Sequence, residues 1–242
     1  MKEKIRKIAL LICILVFLFS GYQLINIFKT YRNIDETNKE IKQTVVEETQ
    51  EKFSVDFKSL TAINSDIIGW INIEGTDISY AIAHYSDNDF YLKRDIYKSS
   101  SKAGTIFTDY QNATDFSDFN TIIYGHNMKN GSMFGTLKKY KNEDYFNEHR
   151  YIDIYQENKQ LRYEIFAARD IDVEKTFTYQ INTPEQLIKQ QLIDEAIVQT
   201  PYQTGVEVSA DDHILTLSTC VDTSNYQYRF IVNAKLVEVI EQ

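Results

Sequence analysis

Residues 213–239, HILTLSTCVDTSNYQYRFIVNAKLVEV, determine the fold class of this chain. His213 to Thr219 and Tyr228 to Val239 are rich in β-branched and other apolar residues, which suit pleated, half-buried strands. The polar segment Val221 to Gln227 separates them and predicts a loop between two antiparallel strands. Cys220 stands where the first of these strands ends.

Six further strand-like runs precede this pair and give about eight strands in all. Gly69 to Gly75 alternates apolar and polar residues and closes on a glycine, which predicts a strand and a turn. The others are short and separated by polar connections, including the tight-turn signal Asn130-Gly131. They are Ile78 to Ala83, Gly104 to Thr108, Thr121 to Tyr124, Tyr151 to Tyr155 and Leu161 to Ala168. Many short strands with few helices predict a mostly β fold built on a closed or nearly closed barrel.

Two helices are predicted beside these strands. Apolar residues from Phe53 to Ile63 indicate a helix that ends near Asn64. Thr183-Pro184-Glu185 is typical of a helix start, with threonine as N-cap and proline at the first helical position. This second helix is expected to reach about Ala196, ahead of the cysteine strand. Its predicted buried face consists of Leu187, Ile188, Leu192, Ile193 and Ala196.

The composition is that of a globular protein with an acidic surface. Of its 242 residues, 43% are hydrophobic and 25% charged, which is compatible with a packed core. The 8 glycines and 2 prolines are too few for collagen-like or low-complexity proteins. The formal net charge of −9 opposes the basic footprint that nucleic-acid binding requires, so no nucleic-acid partner is expected.

The N-terminal segment has the pattern of a membrane anchor. Basic residues within positions 1–7 precede the unbroken apolar stretch Ile8 to Phe19 and a softer continuation to Phe28. Residues 8–28 match the ~20 residues that a helix needs to cross the hydrocarbon layer. A cleaved signal peptide and a buried core helix are the alternatives, and the lack of an A-x-A-like cleavage sequence favours an uncleaved anchor. The positive-inside rule then predicts a single-pass protein with a cytoplasmic N-terminus.

The rest of the chain is predicted to lie outside the cytoplasm, in contact with the lipid bilayer only through this anchor. Residues 29–56 lack glycine and proline and space Ile34, Ile41 and Val45 as on a helix, so a helical stalk or a solvated spacer is expected. Residues 57–242 form the predicted domain. Removing the five basic residues and one acidic residue of positions 1–29 leaves 21 basic and 34 acidic residues, a formal charge of −13. Such a charge serves solubility.

Cys220 is the one cysteine of the predicted exported domain, since Cys13 lies in the membrane segment. A cysteine at a strand end is either a small core residue or a nucleophile, and a nucleophile needs an activating partner because a free thiol is mostly protonated at neutral pH. His126 is the preferred partner because it follows the strand Thr121 to Gly125, beside a glycine that permits an unusual backbone angle. The other histidines, expected to be structural or solvent-facing, are His84, His149 and His213.

Arg229 opens the strand after Cys220, so an antiparallel return would place it beside the thiol. A guanidinium there favours thiolate, donates to a developing oxyanion or holds a substrate carbonyl, whereas a surface salt bridge is the alternative. No zinc, phosphate-loop or serine-hydrolase motif occurs, and the acidic clusters near Asp87 and Asp115 have incomplete calcium-loop spacing. Catalysis without metal or cofactor is therefore expected.

Taken together, these residues resemble the sortase family of cysteine transpeptidases. Thr216-Leu-Ser-Thr-Cys220 matches the family motif T-L-x-T-C, and Tyr124-Gly-His-Asn-Met-Lys-Asn-Gly-Ser-Met-Phe134 and Arg229 stand at family-like distances from it. The resemblance covers about residues 55–240. Asp66-Ile-Ile-Gly-Trp-Ile-Asn-Ile73, Asp87-Asn-Asp-Phe-Tyr-Leu92, the N-terminal helices and the helix before the cysteine strand are most similar to class B. Ala81 departs from the family pattern, where many relatives have proline, and is expected to affect a strand end only.

The resemblance implies an eight-stranded sortase barrel and covalent acyl transfer on the outside of a Gram-positive-type membrane. Cys220 would attack a backbone carbonyl in the C-terminal sorting signal of a secreted protein and form a thioacyl enzyme. His126 would protonate the departing amine, and Arg229 would steady the substrate or the oxyanion. An amino group of a peptidoglycan precursor would then resolve the thioester.

Four further residues are implied to bind substrate or support the site: Asn127, Ser218, Thr219 and Asp222. For Asp222, orienting the histidine and capping a loop remain alternative roles. Two other functions also remain open. One is a cysteine endopeptidase that passes its acyl group to water, and the other is a non-catalytic, membrane-tethered binding module.

Overall fold

A computed structural model describes residues 2–49, 53–220 and 227–241, beginning with the long helix α1 (Lys2–Val45). The chain divides into two compact units between Ile41 and Lys42. Within the described ranges, α1 is the helix whose length and apolar composition suffice to cross a membrane, properties that a signal sequence shares. It ends within the predicted stalk, where the β-branched residues Thr44, Val45 and Val46 follow one another.

Two short strands and a helix lead into the domain. β1 (Val46–Glu48) and β2 (Phe53–Val55) pair antiparallel, so this part of the predicted stalk is extended rather than helical. Helix α2 (Phe57–Ile63) ends before Asn64, as predicted, but the predicted start at Phe53 is wrong, because Phe53–Val55 forms strand β2. It begins after Asp56, whose carboxylate accepts a hydrogen bond from the backbone amide of Ser59 at 3.0 Å and so caps the helix.

Eight strands close into a barrel, which confirms the predicted fold class. In chain order they are β3 (Ile67–Asn72), β4 (Ser79–Ala83), β5 (Ile106–Thr108), β6 (Asn120–His126), β7 (Tyr151–Tyr155), β8 (Lys159–Asp172), β9 (Ile214–Cys220) and β10 (Tyr228–Glu241). Around the barrel the order is β3, β4, β5, β6, β9, β10, β8 and β7, which pairs again with β3. Each of the eight predicted runs corresponds to one of these strands.

Two neighbouring pairs of the barrel, β4 with β5 and β6 with β9, are parallel. Parallel neighbours need long crossover connections. The connection from β6 to β9 contains a 3-10 helix (Leu137–Lys141), α3 (Glu143–Glu148), β7, β8 and α4 (Gln186–Gln199). As a result, the C-terminal ends of β6 and β9 meet at the same edge of the barrel.

Helix α4 confirms the predicted helix before the cysteine strand, but it begins later than expected. Glu185 is its N-cap instead of Thr183, whose hydroxyl accepts from the Glu185 amide at 3.3 Å and forms a local turn. Leu192, Ile193 and Ala196 pack into the core with Phe119, Phe166, Ala167 and Ile214. Leu187 is 70% exposed, because the helical period places it opposite Ala196.

The two strands of the parallel junction between β6 and β9 are deeply buried. The first six residues of β6 are all buried, and only His126 at its end is partly accessible. In β9, Ile214, Leu215 and Leu217 are at most 1% exposed. A close-packed interior of this kind holds the ends of both strands in fixed positions.

Candidate active site

The sequence-preferred cysteine and histidine meet at the parallel junction. His126 is the last residue of β6 and Cys220 the last residue of β9, and the register of the two strands pairs them directly. Groups at strand ends are held by the rigid scaffold behind them while remaining next to the loops that admit ligands. The structure therefore brings together two residues that stand 94 positions apart in the sequence.

Strand β10 brings Arg229 to the same edge. β9 and β10 are antiparallel, and their last paired residues at this edge are Ser218 and Ile231. Arg229 lies two positions beyond Ile231, just as Cys220 lies two positions beyond Ser218. The antiparallel return predicted from the sequence is thus the one that the barrel adopts.

The imidazole of His126 is anchored by a backbone carbonyl. Its Nε2 lies 2.7 Å from the carbonyl oxygen of Leu92, which only accepts, so Nε2 is the donor. Leu92 lies in the connection from β4 to β5, where Gly104 passes close to it. A Cβ on Gly104 would lie 2.9 Å from the Leu92 oxygen and 2.5 Å from the Tyr91 oxygen. The absence of a side chain at Gly104 therefore allows the carbonyl to occupy this position.

Gly125 supports His126 through packing rather than through its backbone angle. The expectation of an unusual angle there is wrong, since Gly125 lies inside β6 and has no positive φ. Instead, a Cβ at this position would lie 2.5 Å from Cδ1 of Ile106 and 2.6 Å from Cδ2 of Phe134. The fully buried Phe134 ring occupies that space, and the Phe134 amide donates to the His126 carbonyl at 3.0 Å.

Two of the implied supporting residues are buried in the cysteine strand. The Thr219 hydroxyl donates to the Phe230 carbonyl at 3.2 Å and accepts from the Phe230 amide at 3.1 Å. It thus continues the joining of β9 to β10 where the backbone ladder stops. The Ser218 hydroxyl, which is fully buried, lies 3.1 Å from the hydroxyl of Tyr179. Both contacts fix the strand next to Cys220.

The other two implied supporting residues differ in what the structure says of them. Asn127, directly after His126, is half-buried and forms a β-bridge with Met133, which closes the loop after β6. The Met133 amide also donates to the hydroxyl of Tyr80 at 3.0 Å. Asp222 lies outside the described residues.

Sequence reasoning missed a layer of aromatic and acidic side chains behind the strand ends. Tyr124 precedes His126 by two residues on the same strand face, and its ring lies 5.9 Å from the Arg229 guanidinium carbon. Its hydroxyl donates to Asp109 Oδ2 at 2.9 Å. Burial, followed by the nearby Asp109 charge, raises the pKa of Tyr124 well above its ordinary range, so the phenol stays protonated. The period-two spacing of Tyr124 and His126 was the available signal.

The remaining histidines have structural contacts. His213 Nδ1 lies 2.9 Å from the Asp118 carbonyl oxygen, and His149 Nδ1 lies 2.9 Å from that of Glu74. His84 Nδ1 lies 2.9 Å from the Thr108 hydroxyl, and burial lowers the pKa of His84. These contacts agree with the structural or solvent-facing roles expected for all three.

A closed mixed barrel in which a cysteine and a histidine are paired at the ends of two parallel strands is typical of a class of cysteine enzymes. Comparison with known proteins identifies the family. The family model described as Sortase domain matches residues 71–237, so this chain belongs to the sortase family. It is 33% identical to Sortase B of Listeria monocytogenes, with 98% of each chain covered. It is 28% identical to Sortase B of Staphylococcus aureus, with 99% of each covered.

Solved structures give the same answer. Sortase B from Bacillus anthracis in complex with AAEK1 matches with a TM-score of 0.75 and 33% identity, over 87% of this chain and 99% of that one. A Staphylococcus aureus sortase B-substrate complex matches with a TM-score of 0.71 and 30% identity, over 75% and 84%. A structure of sortase B complexed with triglycine matches with a TM-score of 0.70 and 31% identity, over 76% and 85%. Similarity to class B is thereby confirmed.

Proposed function

We propose that this protein is a membrane-anchored cysteine transpeptidase that joins secreted proteins to an amino group of the cell-wall precursor. The observation that carries the proposal is the direct pairing of His126 with Cys220 at the ends of two buried parallel strands. Arg229 on the adjacent strand adds a fixed cation at the same edge. A nucleophile, a titratable acid–base group and a cation are the parts that acyl transfer requires.

In the first half-reaction the Cys220 thiolate attacks a backbone carbonyl carbon of the sorting signal and forms a C–S bond. The tetrahedral oxyanion is stabilised by Arg229. When it collapses, the C–N bond breaks and the departing amine takes a proton from the imidazolium of His126. The products are a thioacyl enzyme and the released C-terminal part of the signal.

In the second half-reaction the acceptor amine attacks the thioester and gives its proton to His126. The C–S bond then breaks, which restores the thiolate and leaves a new amide. The contact between His126 Nε2 and the Leu92 carbonyl supports Nδ1 as the atom that exchanges protons, because Nε2 already donates elsewhere.

The relatives support these two classes of substrate. One matching structure is a sortase B-substrate complex and another holds triglycine, a peptide with a free amino group. By the same chemistry, the substrates here are a C-terminal sorting signal and an amine of a peptidoglycan precursor. Helix α1 supports anchoring in the lipid bilayer, with a cytoplasmic N-terminus and an extracytoplasmic catalytic domain at 57–242.

The test uses the full chain in detergent, carrying Cys13→Ala so that Cys220 is the only thiol. It is mixed with a library of sorting-signal peptides, with and without triglycine, and the products are analysed by mass spectrometry. We expect a thioacyl adduct on Cys220 and a triglycine-capped peptide, both lost in Cys220→Ala. Release of free acid despite abundant triglycine would show an endopeptidase. No product, together with a Cys220 inert to alkylation, would favour a binding module.

A further inference from the structure

Asp109 is a buried carboxylate close to the candidate site that the mechanism above does not use. It follows β5 directly and is 5% exposed. Its Oδ2 accepts from the Tyr124 hydroxyl and from Asn88 Nδ2, both at 2.9 Å, and its Oδ1 accepts from the Gln111 amide at 3.0 Å. A buried charge is retained only where donors compensate its desolvation, and here three donors converge on one carboxylate.

The Tyr124 ring connects this carboxylate to Arg229. Tyr124 is 9% exposed, with its hydroxyl held by Asp109 and its ring 5.9 Å from the guanidinium carbon of Arg229. In the register of β6 and β9, Tyr124 pairs with Ser218 and His126 pairs with Cys220. The ring therefore lies one step behind the reacting pair, on the same strand face.

The guanidinium carbon of Arg229 lies over the Tyr124 ring. Arg229 Nε is buried and has no hydrogen-bond partner among residues 2–49, 53–220 and 227–241. A cation over an aromatic face is attracted by the ring quadrupole, and the attraction is stronger where water is excluded. A carboxylate hydrogen-bonded to the phenol increases electron density in the ring and stops it from rotating away.

We propose that Asp109 is a positioning residue, which holds the Tyr124 ring against Arg229 and so orients the guanidinium for acyl transfer. The inference rests on the proposed function of Arg229. A carboxylate is required because an asparagine in its place has one acceptor oxygen. In either amide orientation, its NH2 group would face a donor, Gln111 N on one side or Tyr124 and Asn88 on the other.

The test compares Asp109→Asn, Tyr124→Phe and the double variant in the full chain. The substrates are the library peptide that wild type caps and triglycine. We expect each single variant to lower kcat by roughly tenfold to a hundredfold, the range that small misplacements produce, with little change in KM. The double variant should be no slower than the slower single one, because both changes break the same path to Arg229. Unchanged kcat, or fully additive losses, would overturn the inference.

Asp153→Asn is the matched control. Asp153, on β7, is 6% exposed and accepts hydrogen bonds from Arg162 and Gln160 of β8. Strand β7 is not a neighbour of β6 or β9 in the barrel order, so kcat should stay at the wild-type value. If Asp109→Asn fails to fold, Tyr124→Phe alone decides, since it keeps the ring and removes only the hydroxyl.

A spectroscopic readout separates failure of this inference from failure of the proposed function. The Arg229 Nε–H resonance, assigned by its loss in Arg229→Lys, should carry a ring-current shift from Tyr124, whose ring lies 5.9 Å from the guanidinium carbon. That shift should fall in Asp109→Asn and persist in Asp153→Asn, even if wild type forms no triglycine-capped product. An unchanged resonance in Asp109→Asn would overturn the positioning role whatever the activity.

Discussion

At the residue scale, the position of His126, the histidine of the candidate site, depends on a glycine distant from it in sequence. Gly104 has φ +61°, and its Cβ would meet the Tyr91 and Leu92 carbonyl oxygens, the second of which binds His126. We expect Gly104→Ala to destabilise the fold by more than the ~1–2 kcal/mol that a left-handed alanine alone costs, and to slow acyl transfer. Urea unfolding and the rate of peptide capping measure the two effects.

The control for this prediction is a glycine with the same backbone conformation but free space around it. Gly205 has φ +73°, and a Cβ added to it would have no other atom within 4 Å. Gly205→Ala should therefore show the conformational cost alone, with a normal capping rate. Equal behaviour of the two variants would mean that the Leu92 carbonyl does not hold His126.

Thr219 is the second residue on which the cysteine strand depends. Its hydroxyl makes two hydrogen bonds to the backbone of Phe230 and is 2% exposed. Thr219→Val keeps the shape but leaves both Phe230 groups unpaired, so we expect a loss of about 1–3 kcal/mol in the free energy of unfolding. Thr219→Ser should recover most of it. Wild-type stability in the valine variant would assign the residue a role in substrate contact instead.

His84 gives the fold a specific pH dependence. Burial lowers its pKa below the ordinary 6.5, and the charges of Asp109 and Asp66 only partly oppose this. The unfolded chain therefore binds the proton more readily, and the stability contributed by neutral His84 is present above pH 6.5 and lost as pH falls through the folded-state pKa. The free energy of unfolding, measured by urea titration, should fall less steeply between about pH 7 and 5 in His84→Gln than in wild type. Identical slopes would refute this.

At the scale of elements, a buried polar network fixes the connection between β8 and α4. Arg169 is 2% exposed and donates to Asn233 and, at 2.7 Å, to the hydroxyl of Thr178, while Glu195 lies 3.8 Å away. Burial lowers the pKa of Arg169 to about 10, which leaves it charged at neutral pH. The Asn120 amide also donates to the Thr178 carbonyl at 2.9 Å. This connection carries Tyr179, which contacts Ser218 behind the cysteine.

Removing the guanidinium should therefore loosen the wall beside the site. We expect Arg169→Met to lower the free energy of unfolding by about 3–5 kcal/mol, because Glu195 and the Thr178 hydroxyl lose their cationic partner in the interior. In this variant the backbone amides of residues 176–182 should exchange with deuterium faster than they do in wild type. The amides of β7, whose Asp153 pairs with Arg162 of β8, should exchange as in wild type. If the amides of both segments in Arg169→Met exchange only when the whole domain unfolds, the network does not have this role.

The contacts of this network could not be predicted from the sequence, whereas the strands could. Apolar runs predicted all eight barrel strands and the strand ends at His126 and Cys220, because burial of one strand face leaves a local signal. The parallel register of β6 with β9 depends on a crossover that spans five intervening elements and has no such signal. The side-chain contacts of Arg169 with Asn233 and of Asp109 with Tyr124 also have no local sequence signal, because each joins different segments of the chain. The late start of α4 reflects a local turn at Thr183 that competes with helix capping.

At the scale of the whole molecule, the two cysteines provide a test of membrane topology. Cys13 lies in the apolar part of α1, and Cys220 ends β9. If α1 is an uncleaved anchor with its N-terminus in the cytoplasm, a membrane-impermeant thiol reagent added to intact cells should label the full-length chain at Cys220 and leave Cys13 unmodified. Hydrocarbon around Cys13 excludes the charged reagent and suppresses the thiolate that reacts.

The matched variants make each outcome of this labelling decisive. Cys220→Ala should remain unlabelled on intact cells, and Cys13→Ala should label as wild type does. Intact mass of the membrane-extracted chain distinguishes a retained anchor from a cleaved signal sequence, because cleavage would remove Cys13 together with the basic residues of positions 1–7. Labelling of Cys220 only after cell lysis would place the domain in the cytoplasm, where secreted substrates and wall precursors do not meet it. The orientation, and with it the proposed acceptor, would then be wrong.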